Sequence, residues 1–226
     1  MLTTFSGSDS FTYTISDGTA TATASVVVEV GVDLDGSNGT DGLTGTPGDD
    51  RLNAGNGKGT LINKQVWLSL GDGNDTITSS GGIYNDGIIE TGNGDDSIIV
   101  DGGVDGTGTG YGIYNDGGNI NTGDGNDSII AHEGFKSALN SSGSVFLGEG
   151  EDYIKGFGSG DFYGGNGNDT LELTPGSYTV GIWEPSTTFF TQGDQLLITS
   201  EFEKLIAGGT TYDFTSLTAG QTIIIV

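Results

Sequence analysis

Six times between residues 45 and 171 the chain repeats one short phrase: a glycine-rich turn, an aspartate, and a large apolar residue two positions later. The copies are GTPGDDRL (45–52), GDGNDTI (71–77), GNGDDSI (92–98), GDGNDSI (123–129), GEGEDYI (148–154) and GGNGNDTL (164–171). From the second copy onward the Gly-x-Gly-x-Asp turns start 21, 31, 25 and 17 residues apart. This is the spacing of stacked solenoid coils carrying insertions of different length. A second phrase, Ile83-Tyr84-Asn85-Asp86-Gly87, recurs verbatim as Ile113-Tyr114-Asn115-Asp116-Gly117, so the repeating unit is a whole coil. After each turn the side chains alternate, as in Asp75-Thr76-Ile77-Thr78, which predicts a short strand with one large residue pointing inward. Ile77, Ile98, Ile129, Ile154 and Leu171 are therefore expected to form one buried ladder, with Tyr84 and Tyr114 stacked on another face. Forty-four glycines argue against a helical core, because glycine is costly inside regular elements and marks turns. The apolar residues favour Ile, Val, Tyr and Phe, which suits strands. The expected fold is all-β: a parallel β-helix or β-roll solenoid with an N-terminal β-hairpin and a C-terminal β cap.

Four regions are expected. Residues 1–31 hold two strand-like runs, Asp9 to Ser16 and Thr19 to Val30, joined by the hairpin signal Asp17-Gly18. This segment resembles the last two strands of the cadherin-like or Ig-like repeats of large bacterial surface proteins, and the resemblance implies a hairpin that pairs with a neighbour or packs on the first coil. Residues 32–44 read as a polar linker. Asp33, Asp35 and Ser37 fall at the first ligand positions of an EF-hand-type loop, but Asn38 stands where that loop needs Gly and Thr44 where it needs a bidentate Glu. Residues 45–173 carry the repeats. Residues 174–226 lose them and gain large apolar residues, as a solenoid's terminal cap must.

Thirty-one acidic residues against six basic ones give a net charge of −25, which disfavours nucleic acid and anionic membranes and favours cations. There is no cysteine, so disulfides, thiol catalysis and Cys-based zinc sites are excluded. No apolar run approaches membrane-spanning length. Met1-Leu2-Thr3-Thr4-Phe5 lacks the regions of a cleavable signal peptide, so an export signal is expected elsewhere or the chain is a fragment of something longer.

Gly164-Gly165-Asn166-Gly167-Asn168-Asp169-Thr170-Leu171 follows the G-G-x-G-x-D-x-U pattern, and the other copies depart from it at the first Gly. The repeats thereby resemble the haemolysin-type (RTX) calcium-binding repeats of proteins exported by type I secretion. The resemblance implies Ca²⁺ held by Asp50, Asp75, Asp96, Asp127, Asp152 and Asp169. The loop glycines Gly71, Gly73, Gly92, Gly94, Gly123, Gly125, Gly148, Gly150, Gly165 and Gly167 would add carbonyl oxygens. The physical case agrees: Ca²⁺ takes six to eight oxygen ligands, and glycine turns expose carbonyls that side chains would shield. The motif recurs once per coil and not every nine residues, so one row of ions is expected. Gly55-Asn56-Gly57-Lys58-Gly59 reads as a decayed repeat whose Lys58 weakens the first site.

Catalysis is not expected. His132 is the sole histidine, and Arg51, Lys58, Lys64, Lys136, Lys155 and Lys204 are scattered. Asn74-Asp75-Thr76 and its equivalents are formally glycosylation sequons, but the calcium loop accounts for them. The stretch from Glu201 to Ile206 and the apolar end Thr222 to Val226 resemble a type I secretion tail, and serve equally as capping strands. The expected function is an extracellular calcium-binding structural module, of adhesin or surface-assembly type, that folds on binding Ca²⁺ after export. Its expected partners are calcium, neighbouring surface repeats or further copies of itself, and glycans; the alternative is a secreted carbohydrate-active enzyme or its accessory module.

Overall fold

The computed structural model describes residues 7–31, 33–35, 45–53, 61–63, 67–101, 111–136, 143–184 and 187–226. The Asp17-Gly18 turn joins β1 (Gly7–Ser16) and β2 (Thr21–Val30) into an antiparallel hairpin that forms a sheet of its own. Period-two alternation places Phe11, Tyr13 and Ile15 on one face of it, opposite Val26, Ala24 and Ala22, and the Ser and Thr residues on the other.

From the second copy onward every Gly-Asp phrase is a corner between two strands. The strands that leave the corners form an exit sheet: β3 (Asp33–Asp35), β4 (Arg51–Asn53), β7 (Thr76–Ser79), β10 (Ser97–Val100), β13 (Ser128–Ala131), β16 (Tyr153–Lys155), β18 (Thr170–Leu173) and β22 (Lys204–Ala207), all parallel, closed by the antiparallel β23 (Thr210–Asp213). The backbone of Asp33–Asp35, within the stretch read as linker, thus pairs with Arg51–Asn53. The strands that lead into the corners form an entry sheet: β6 (Trp67–Asp72), β9 (Ile88–Asn93), β12 (Asn119–Asp124), β15 (Ser144–Gly150), β17 (Gly160–Gly167) and β21 (Gln195–Ser200), parallel. A short third sheet holds β5 (Leu61–Asn63), β8 (Ile83–Asn85), β11 (Ile113–Asn115) and β14 (Phe135–Lys136). The molecule is therefore an all-β parallel solenoid. Its early coils have three sides. After β14 the short side ends, and Gly156–Ser159 turn the chain directly from β16 into β17.

The expected ladder is in register: Ile77, Ile98, Ile129, Ile154 and Leu171 stack one above another, extended by Leu52 before them and Leu205 after. All seven are fully buried. Leu68, Ile89, Ile120, Val145 and Phe162 form the facing column on the entry sheet. Each buried Leu or Ile contributes roughly 1.5–3 kcal/mol of apolar transfer. Tyr84 and Tyr114 pair on the short sheet, edge to face with centroids 5.2 Å apart.

The cap extends the entry sheet with an antiparallel meander, β20 (Thr187–Gln192) and β19 (Gly176–Glu184), and with β24 (Thr222–Ile225) on β19. Tyr178, Phe190, Phe202, Leu217 and Ile223 are buried there. Among the described residues no helix is long and apolar enough to cross a membrane.

Candidate metal centre

The corner geometry explains the two glycines. Gly92 (φ +118°) and Gly94 (φ +131°) adopt backbone angles that L-residues rarely reach, and a Cβ on either would lie 1.6 or 1.9 Å from the carbonyl oxygen of Gly71 or Gly73 in the coil before. The same contact recurs at Gly123, Gly125, Gly148, Gly150, Gly165 and Gly167. The carbonyls of Gly71, Gly73, Gly92, Gly94, Gly123, Gly125, Gly148 and Gly150 thus point along the stack, each against the next coil's glycine.

The six predicted aspartates form one buried column. Their carboxylates bond from coil to coil: Oδ1 of Asp75, Asp96, Asp127, Asp152 and Asp169 each accepts the backbone N–H of the preceding aspartate, at 2.7, 2.7, 2.8, 2.8 and 2.9 Å. The loops bridged in this way are 25, 21, 31, 25 and 17 residues long, so the column sets the register whatever the coil length.

The second oxygen differs. Oδ2 of Asp75, Asp96, Asp127, Asp152 and Asp169 is buried and has no hydrogen-bond partner. Such an atom carries a desolvation cost that a proton or a cation would relieve. Burial, first, and the charge of neighbouring carboxylates push Asp75 and Asp152 up to about 7 and Asp127 and Asp169 up to about 6. Asp96 moves the same way, with the Thr91 hydroxyl acting against burial. Asp50 is different, because its Oδ2 accepts the Thr46 N–H at 2.6 Å and its Oδ1 the Thr46 hydroxyl at 2.9 Å. That local bonding sets the first coil apart; the expected role of Lys58 lies outside the described residues, as does the remainder of the EF-hand-like stretch.

Glu203 belongs to the column although its sequence context does not announce it. Its Oε2 accepts the Asp169 N–H at 2.7 Å. Three residues, 201–203, make this last corner where six, 164–169, make the one before. The shorter path places Glu201 in the left-handed region (φ +62°), and the longer Glu side chain covers the difference.

Outside the buried column the turn residues alternate acid and amide. In the series Asp49, Asn74, Asp95, Asn126, Glu151, the side-chain oxygen of each of the first four accepts the backbone N–H of the next, at 2.7–2.9 Å. Asn93 donates to Asp72, and Asn166 to Glu149. Interleaved amides spare this surface the like-charge contacts of a pure Asp stack. Among the described residues no three acidic or histidine side chains gather into a group that could hold a metal ion. An ion in the column would therefore take one or two carboxylate oxygens and complete its shell from carbonyls, hydroxyls or water, which suits a hard cation.

A second buried polar column lies at the other corner. Asn63, Asn85 and Asn115 are linked by amide-to-amide bonds of 2.6 and 2.8 Å and donate to the Ile88, Asn119 and Ser144 carbonyls. His132 is exposed beside Asp101, and Lys155 pairs with Glu172 at 2.7 Å. Comparison with protein-family models, with curated proteins and with solved structures found no match to this chain.

Proposed function

We propose that this chain is a calcium-stabilised structural module of a secreted or surface-attached protein, of adhesin or surface-assembly type, and not an enzyme. The row of five consecutive buried carboxylate oxygens without partners carries the reading. Oδ2 of Asp75, Asp96, Asp127, Asp152 and Asp169 would hold the ions, and Asp50, already bonded to Thr46, would hold one least well. When bound, calcium supplies positive charge to a column that otherwise buries like charges. The resemblance of the loops to haemolysin-type repeats, the net charge of −25 and the lack of cysteine support the same reading. Extracellular calcium modules bind at about 10⁻⁴–10⁻³ M, so the chain would fold after export, where calcium is abundant.

A metal-free solenoid is the second reading. The Oδ1 bonds join the coils without any ion, and Leu70 and Leu147 stand buried at the position where the full motif has its first glycine. Circular dichroism and thermal unfolding in EGTA and in millimolar Ca²⁺ separate the two. A β signal and midpoint that rise with Ca²⁺ support the proposal; identical curves refute it.

A further inference from the structure

The outer face of the entry sheet differs from the rest of the surface. Both tryptophans of the chain lie on it, one toward each end, and each is held. The Trp67 indole N–H donates to Glu90 Oε2 at 2.9 Å, across to the next coil, while the side chain stays 62% exposed. Trp183, 57% exposed, leans on Phe189 at 4.8 Å, and Phe189 lies over Gly181, where a Cβ would meet its ring at 1.9 Å. Midway between them Phe146 and Tyr163 stack in parallel at 4.8 Å. From Trp67 on β6 to Trp183 on β19 is seven strand steps, about 34 Å at the usual strand spacing.

Between the aromatic groups the outward positions hold mostly amides and hydroxyls, Asn119, Asn121, Ser144, Ser200 and Thr187, with the aliphatic side chains of Ile88 and Ile198 among them. No strand of this sheet contains Lys, Arg or His, and Glu90 and Asp161 add negative charge. Anionic polymers are therefore repelled. The spaced polar columns make the face a poor match for an apolar protein surface, because their hydrogen-bonding groups would be buried unpaired. The ligand chemistry that suits pinned exposed indoles, interleaved amides and hydroxyls, and the absence of cations is a neutral polysaccharide. Its C–H faces pack on aromatic rings and its hydroxyls bond to amides.

We infer that the outer face of the entry sheet binds a neutral linear glycan laid across the strands from Trp67 to Trp183. The calcium column lies elsewhere on the coil, so this inference stands or falls apart from the metal reading. The test uses the full chain in millimolar Ca²⁺, with circular dichroism confirming the fold of each variant. Cellulose, chitin and curdlan suspensions are the probes, soluble alginate is the anionic control, and Ile130→Ala on the exit sheet is the control variant. Because both tryptophans sit on the proposed face, soluble cello- and chito-oligosaccharides should also shift the intrinsic fluorescence directly. The expected result is binding to at least one neutral glycan, weakened roughly tenfold by Trp67→Ala or Trp183→Ala and abolished by the pair, with Ile130→Ala unchanged. Binding to none of them, retention by the double variant, preference for alginate, or a self-association lost in the same variants would each overturn it.

Discussion

Replacing Asp127 by Asn and, separately, by Ala takes apart the two jobs of one carboxylate. Both substitutions remove the charge. Asn keeps an oxygen for the Asp96 N–H, which Oδ1 now accepts at 2.8 Å, whereas Ala leaves that buried N–H unpaired at a cost of about 1–3 kcal/mol. In EGTA, well above the displaced range of about 6, the native carboxylate suffers a burial penalty on the order of 3 kcal/mol. Asn escapes it but brings an amide N–H₂ into the space where Oδ2 found no partner, a cost of about 1–3 kcal/mol. Asp127→Asn should thus unfold in EGTA within about 2 kcal/mol of the native chain, on the stable side, and Asp127→Ala, which also escapes the charge penalty but leaves the Asp96 N–H unpaired, falls in the same range. Calcium reverses the order. An ion present at ten to a hundred times its dissociation constant adds about 1.4–2.7 kcal/mol per site, and both variants lose that share for each ion Asp127 touches. Urea unfolding of the native chain and both variants, followed by far-ultraviolet circular dichroism with EGTA and with Ca²⁺, gives all six stabilities. A calcium increment in Asp127→Asn equal to that of the native chain would refute the assignment of Oδ2 as a ligand, and an Asp127→Ala chain about 3 kcal/mol more stable than the native one in EGTA, the charge penalty recovered with nothing lost, would refute the structural role of Oδ1.

The pH response should also change sign with the metal. In EGTA the raised aspartates favour folding when protonated, so stability should be greatest in acid and fall as pH rises from about 4 to about 7, levelling off above the highest of the folded values; in Ca²⁺, which needs ionised ligands, stability should climb through the same window, and parallel profiles would contradict this. Gly123→Ala places a Cβ 1.8 Å from the Gly92 carbonyl at φ +100°, so the coils must part; a loss above about 3 kcal/mol is expected, and a tolerated alanine would show that the corner is not packed as described. Asn85→Ala removes a fully buried amide from bonds to Asn63, Asn115 and Asn119 and should cost about 2–4 kcal/mol in thermal or urea unfolding, without altering the calcium increment.

What the sequence reveals here depends on how far each feature is fixed by local chemistry. The Gly-x-Gly-x-Asp corners, the Ile ladder and the Asp17-Gly18 hairpin are legible because each needs a residue type that few others can replace. The pairing of Tyr84 with Tyr114 follows from verbatim repetition. The asparagine column is harder to see: Asn85 and Asn115 look like turn residues, and only the alternation that turns each tyrosine outward sends the asparagine in. Glu203 is hidden for another reason. The last corner is three residues shorter, so the functional equivalent of aspartate is a different amino acid in an unrelated string. The change from three-sided to two-sided coils turns on the short path through Gly156–Ser159, which no periodicity marks. A ligand role for the second aspartate oxygen is an expectation that the sequence offers only through the family resemblance; the burial of that oxygen without a partner, from Asp75 to Asp169, is a property of the stacked coils.

The carboxylate column has a direction. Each aspartate's N–H is satisfied by the coil that follows it in sequence, and the last by Glu203 of the cap. Coils can therefore be removed from the N-terminal end with every remaining aspartate N–H still paired, the newly freed Oδ1 turning to water, although the outer turn residues, bonded in the opposite sense, lose an acceptor there. Removing them from the C-terminal end strands an amide at each cut. The aspartate column is thus a polar ladder with one protected end, at the cap. A chain delivered C-terminus first would present its terminator before its repeats, and each arriving coil would find its acceptor already in place.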